Sequence, residues 1–115
     1  MPFLNVNTNI KISAAEKPQL LKEVSTLIAQ HTGKPESYVM VHLHDEQTML
    51  FAGSQDPLAY LECKSIGLSK NQVQALTKTL SHYLSTSLKL NPARIYIEFS
   101  NAPAELWAWN GATFG

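Results

Sequence analysis

Pro2 is the residue of this chain with the least ordinary chemistry open to it. An initiator methionine followed by a small residue is generally removed, and loss of Met1 would leave proline as the N-terminal residue, a secondary amine on a fixed ring. An α-amino group has a reference pKa of about 7.7–8.0, well below that of a lysine side chain. Burial in an apolar pocket disfavours its charged form and lowers it further, which brings a neutral base to physiological pH without a histidine. In an arbitrary protein a proline here is far more often an inert second residue, so its company decides. His42 and His44, two apart, share one face of a strand-like stretch and make half of a metal site. A third ligand is needed, and Asp45 or Glu46 at the following turn supports one weakly, so they read as interface or surface histidines. Cys63 is the single cysteine. It cannot form an internal disulfide, and it alternates into a strand as a small packed residue.

Groups of this kind need elements to aim them, and the chain supplies the same set twice. Ser13-Ala14-Ala15-Glu16 and Ser69-Lys70-Asn71-Gln72 both have the Ser-x-x-Glu/Gln spacing of a capping box, in which two orphan donors at a helix start are satisfied reciprocally. The first is followed by Leu20, Val24, Leu27 and Ile28 on one helical face, the second by Val73, Leu76, Leu80, Tyr83 and Leu84. Gly33-Lys34-Pro35 ends the first helix with a left-handed glycine cap, and Asn91-Pro92 follows the second. Pro18 conflicts with a start at Ser13, because it removes a donor inside the first turns, and moves the expected start toward itself. After each helix comes an alternating strand, with Val39, Val41 and Leu43 on one face in the first copy and Ile95, Ile97 and Phe99 in the second. Before each helix lies a shorter one, Phe3-Leu4-Asn5-Val6 and Tyr60-Leu61-Glu62-Cys63.

The expected fold is therefore α+β: a two-layer sandwich from a duplicated β-α-β unit, with pseudo-repeats of about 1–56 and 57–115 in one domain. Crossover helices make each strand pair parallel, so the sheet is four-stranded and mixed, with both helices on one face. Met40, His42, His44, Tyr96 and Glu98 point to the opposite face, which is too mixed for solvent alone and too polar for a core. Leu106, Trp107 and Trp109 have no second layer of their own chain to cover them, and such a patch marks an interface or a ligand pocket.

Composition narrows the function classes. Nine Lys+Arg balance nine Asp+Glu, so the basic excess of a nucleic-acid footprint is missing. With 44% hydrophobic and 16% charged residues the chain is too apolar for disorder. No run approaches the roughly 18 apolar residues of a membrane span, and no charged segment leads an apolar one at the N-terminus. The expectation is a soluble, cytoplasmic protein in a reducing compartment, with no nucleic-acid or membrane partner. Its near-zero net charge suits a chain that meets its own copies.

Pro2-Phe3-Leu4-Asn5-Val6-Asn7-Thr8-Asn9, Thr32-Gly33-Lys34-Pro35, Ser65-Ile66-Gly67, Arg94-Ile95-Tyr96-Ile97 and Trp109-Asn110-Gly111-Ala112-Thr113-Phe114, in this order, resemble the macrophage migration inhibitory factor and D-dopachrome tautomerase family. The resemblance runs the whole length, with about one inserted residue between Lys11 and Pro18. It implies a tautomerase fold, a homotrimer with active sites at subunit interfaces, and keto–enol tautomerisation of arylpyruvate-type α-keto acids such as phenylpyruvate. By this resemblance Pro2 is the catalytic base, Lys34 holds the substrate carboxylate, and the backbone amide of Ile66 gives a second carboxylate contact. Tyr96 of the neighbouring subunit is a pocket wall and donor, and Trp107 and Phe114 are apolar pocket residues. The reaction calls for no metal or organic cofactor.

Two departures from the family stand out. Glu98 replaces an asparagine at the pocket, which is expected to alter the ranking of hydroxylated and plain arylpyruvates. The stretch Pro57-Leu58-Ala59-Tyr60-Leu61-Glu62 lacks the C-x-x-C motif of the animal proteins, so a thiol–disulfide activity is unsupported. The alternatives are a cytokine-like binding protein with a vestigial pocket, and another tautomerase-superfamily reaction on a small acid.

Overall fold

Alternation of apolar residues along four segments produces the sheet on which everything else rests. In the computed structural model, which describes residues 1–115, the chain runs through β1 (Phe3–Thr8), α1 (Glu16–Thr32), β2 (Met40–His44), β3 (Ala59–Ile66), α2 (Lys70–Ser87) and β4 (Ile95–Ala102). The strand order is β2-β1-β3-β4. Each β-α-β unit forms a parallel pair, β1 with β2 and β3 with β4, and the two units join through the antiparallel β1/β3 pair. This is the duplicated α+β arrangement expected from the sequence.

One face of the sheet carries the core. Leu4 and Val6 of β1 and Leu61 and Cys63 of β3 form one buried cluster with Leu20, Val24 and Ile28 of α1 and Leu76, Leu80 and Leu84 of α2. The two helical stripes thus lie where the periodicity put them, except that Leu27, Val73 and Tyr83 are half-buried at the margins. Tyr83 donates its hydroxyl to the Glu23 carboxylate across the two helices. Desolvation and then that carboxylate push the Tyr83 pKa up to about 12. Cys63 is wholly buried in the cluster, and burial pushes its thiol up to about 11, where it is inert at neutral pH.

The caps differ between the units. Ser69 Oγ accepts from the Gln72 N–H at 3.1 Å and Gln72 Oε1 accepts from the Ser69 N–H at 2.9 Å, a complete capping box. At the first helix Ser13 Oγ accepts from the Glu16 N–H at 3.2 Å, but the Glu16 carboxylate accepts from the Ser13 hydroxyl at 2.8 Å instead of from its N–H. The expected box is therefore only half formed. Pro18 does not displace the start: it is the third residue of a helix beginning at Glu16, where a backbone N–H has no intrahelical partner to lose. Gly33, at φ 69°, ends the helix by donating to Ala29 O at 3.0 Å.

Two features were not expected. The tail forms a hairpin of β5 (Ala108–Trp109) and β6 (Ala112–Thr113). Its turn residues Asn110 and Gly111 sit at φ 52° and 80°, a pair of positive values that Asn-Gly adopts readily. Arg94 fastens the long connection between β2 and β3. Its guanidinium donates to the carbonyls of Phe51, Ser54 and Asp56 at 3.0 Å and of Pro57 at 3.1 Å. It also lies 5.3 Å from the Phe51 ring centre, and that ring packs 4.6 Å from Tyr96. Arg94→Ala is expected to lower stability by about 2–3 kcal/mol through carbonyls left without a charged donor. Urea unfolding checks this, and an unchanged midpoint would show that the loop holds itself.

Candidate active site

Pro2 continues the alternation of β1, and its ring is fully buried on the helix side beside Leu4. Its carbonyl accepts from the Met40 N–H at 3.0 Å, which ties the N-terminus to the start of β2. The Met1 amine donates to Tyr38 O at 3.2 Å. Partial burial first, and then the nearby Lys34 ammonium, hold that amine below its ordinary pKa. The N-terminus is thus a place where a positive charge is disfavoured and a neutral amine favoured.

A cavity of about 640 Å³ opens at this point. Four parts of the chain build its walls: Met1 to Phe3, the turn Ser37 to Met40, the paired strand positions Lys64 and Ser100 with Ala102 beyond them, and the tail from Leu106 to Phe114. Eleven of its fifteen lining residues are hydrophobic, and no carboxylate is among them. The tail wall is aromatic. Tyr38 meets Trp109 and Phe114 edge-on, with ring centres 5.3 and 5.9 Å apart and both interplanar angles 81°. Phe114 N donates to Trp107 O at 2.9 Å, which closes the hairpin back on itself. An apolar, aromatic cleft beside a depressed amine can hold a flat hydrophobic group against a base.

Of the residues singled out from sequence, Pro2, Trp107 and Phe114 line this cavity. Lys34 lies outside the lining, near enough for its charge to act on the Met1 amine. Ile66 ends β3 opposite Ala102, at the border. Tyr96 and Glu98 lie further along β4, where Tyr96 pairs with Tyr60 and Glu98 with Glu62, and neither faces the cavity of its own chain. The His42 and His44 rings lie 3.8 Å apart between centres, tilted by 53°, and share a 3.0 Å hydrogen bond, and no group of three metal-ligating side chains gathers there. Sequence reasoning missed Tyr38, Lys64 and Ser100 as lining residues and took Trp109 only as part of a patch. For Lys64 the signal existed, since it continues the Tyr60, Glu62 alternation on the open face.

The comparisons with known proteins agree over the full chain. A family model described as macrophage migration inhibitory factor (MIF) matches residues 1–115. A macrophage migration inhibitory factor homolog of Brugia malayi is 40% identical over 116 residues, covering 100% of both chains. The macrophage migration inhibitory factor of Meriones unguiculatus is 40% identical over 115 residues, with 99% of each covered. The crystal structure of a macrophage migration inhibitory factor homologue from Prochlorococcus marinus superposes with a TM-score of 0.92 at 38% identity, covering 98% of this chain and 99% of that one.

Trp107 and Trp109 both border the cavity, so 3-phenylpropanoate entering it should change the tryptophan emission. Phe114→Ala should weaken that binding roughly tenfold by removing one aromatic wall. Emission that ignores the ligand would show that the cleft does not take an aromatic acid.

Proposed function

The chain belongs to the macrophage migration inhibitory factor family, and from that premise we propose that it is a keto–enol tautomerase of arylpyruvate-type α-keto acids, with Pro2 as its base once Met1 is removed. The observation that carries this reading is the placement of Pro2 in the wall of an aromatic, carboxylate-free cavity, at an N-terminus where partial burial and the Lys34 charge already hold the Met1 amine below its ordinary pKa. The partial burial and the Lys34 charge that lower the Met1 amine act on the same spot. Pro2 itself is buried at the same wall of the cavity. While Met1 is attached, that nitrogen is a tertiary amide without a basic lone pair.

The chemistry follows from these groups. The neutral Pro2 amine takes a proton from the carbon next to the keto group, and the electron pair of that C–H bond moves into a new C=C bond. The carbonyl oxygen gains the charge and takes a proton from water while the Pro2 ammonium gives its proton back to water, which yields the enol and the neutral amine; the reverse sequence restores the ketone. Lys34 serves as a point cation for the substrate carboxylate, joined by the backbone amide of Ile66. The ring lies between Trp107 and Phe114, where water is scarce. No cofactor has a step to perform.

The working unit in this reading is a homotrimer, in which Tyr96 of a neighbouring copy completes the wall and Glu98 approaches the far end of the substrate. Both sheet edges, β2 and β4, lack partners in the single chain. Met40, Tyr96 and Leu106 are 66%, 63% and 77% exposed, an apolar surface that self-association would cover. Sedimentation should give a trimer, and a concentration-independent monomer of 12.8 kDa would exclude this arrangement.

Pro2→Gly still permits Met1 removal but replaces a fixed secondary amine with a flexible primary one. Loss of phenylpyruvate turnover toward the ~10²–10⁴-fold worth of a general base is expected, with some residual rate. In the parent, the base works only when neutral. Its kcat/KM should therefore fall as pH drops through a single ionisation lying below the ~7.7–8.0 reference. Intact mass on the same samples reports Met1 removal. Parent-like turnover by Pro2→Gly would move the base elsewhere and favour a surface-binding role.

A further inference from the structure

Lys64 stands in the cavity without a partner. Its register neighbours are Phe3 on β1 and Ser100 on β4, both lining residues. The carboxylates nearest along the open face are Glu62, two residues earlier, and Glu98, paired with Glu62. Both are engaged elsewhere. Glu62 Oε1 accepts from Asn5 Nδ2 at 3.2 Å. Glu98 lies toward Tyr60, whose hydroxyl is pushed up first by desolvation and then by the Glu98 and Glu62 charges. The one ion pair of the chain, Lys17 with Asp45 at 3.3 Å, lies outside the cavity lining. Lys64 thus lines the apolar cleft as an exposed residue and brings an uncompensated ammonium to a wall that holds no carboxylate.

The sheet order fixes where this charge sits relative to the other cation. Lys34 precedes the turn that leads into β2, while Lys64 is on β3, so the two flank the N-terminus of β1 from opposite sides. β2 and β3 flank β1, two strand spacings of about 4.7–4.9 Å each apart. An aryl ring between two carboxylates spans a gap of that kind.

We propose that Lys64 is a substrate-binding and specificity-determining residue, which selects α-keto acids carrying a second carboxylate remote from the keto group. This rests on the reading of the cavity as an α-keto acid site with Lys34 at the first carboxylate. One end of such a substrate pairs with Lys34 and the other with Lys64, and the carbon that loses its proton lies between them, beside Pro2.

The test compares parent, Lys64→Gln and Lys64→Arg, with thermal unfolding confirming that each is folded. Calorimetry with the unreactive 3-phenylpropanoate and 3-(4-carboxyphenyl)propanoate reads binding alone. The parent should bind the dianion roughly tenfold more tightly, as one added charge pair at the cavity wall allows. Lys64→Gln should erase that preference and Lys64→Arg should keep most of it. In turnover, Lys64→Gln should lose roughly tenfold more kcat/KM on 4-carboxyphenylpyruvate than on phenylpyruvate, mainly through KM. A parent that does not prefer the dianion, or a preference that survives Lys64→Gln, would overturn the assignment. Equal losses on both keto acids with a shifted pH profile would also overturn it, since Lys64 would then act through the amine. A Lys64-dependent binding preference in a protein that turns over neither keto acid would sustain the assignment and sink the tautomerase reading.

Discussion

The antiparallel pairing of β1 with β3 is the contact on which the rest of this structure depends. Each β-α-β unit can make its own parallel pair locally, but only this ladder, from Phe3 opposite Lys64 to Thr8 opposite Ala59, joins their strands into one sheet. It places Leu4 and Val6 beside Cys63 and Leu61, so the helices of both units pack on one continuous apolar floor. The same ladder brings the chain's first residues to the end of β3. The amine and Lys64 share a wall because of a pairing made for the core.

Charge is distributed along the open face in a way that follows from this register. The row at the cavity reads Met40, Phe3, Lys64, Ser100, and the next reads His42, Asn5, Glu62, Glu98. Cation and carboxylates are thus one row apart, and the Asn5 amide occupies Glu62 instead of leaving it to Lys64. Asn5 Oδ1 is itself buried without a partner in the single chain, a cost that a polar neighbour on this face would remove. The cavity row therefore stays cationic and the second row anionic, although the chain as a whole carries no net charge.

Much of the fold was legible because its signals are local. Period-2 alternation in Val39, Val41, Leu43 and in Ile95, Ile97, Phe99 marked two strands, and the Ser69–Gln72 box marked a helix start that forms as written. The hairpin was missed because strands of two residues are too short to alternate, although Asn110-Gly111 states the turn type by itself. The site was harder. Its walls come from strands whose neighbours depend on sheet order, and nothing local in β1 says that β3 rather than β4 lies beside it. Lys64 could be placed on the open face from sequence, but not opposite Phe3. Tyr96 was assigned through a family resemblance that sets it in a neighbouring subunit, and Glu98 as a departure from that family; both lie outside the cavity of the single chain.

The tail shows why cavity and fold cannot be separated here. A hairpin with two residues per strand is not stable alone in water, and its residues lie largely at the surface. What holds it is the edge-on packing of Trp109 and Phe114 against Tyr38, together with the Phe114 N–H on Trp107 O. Tyr38 is fixed in turn because its carbonyl accepts from the Met1 amine and its N–H donates to Pro35 O at 3.0 Å. The aromatic wall therefore leans on the residue that receives the N-terminus. Removing Met1 would take away that donor and open space in front of Pro2. A site built this way ties the packing of the tail to the residues at the N-terminus.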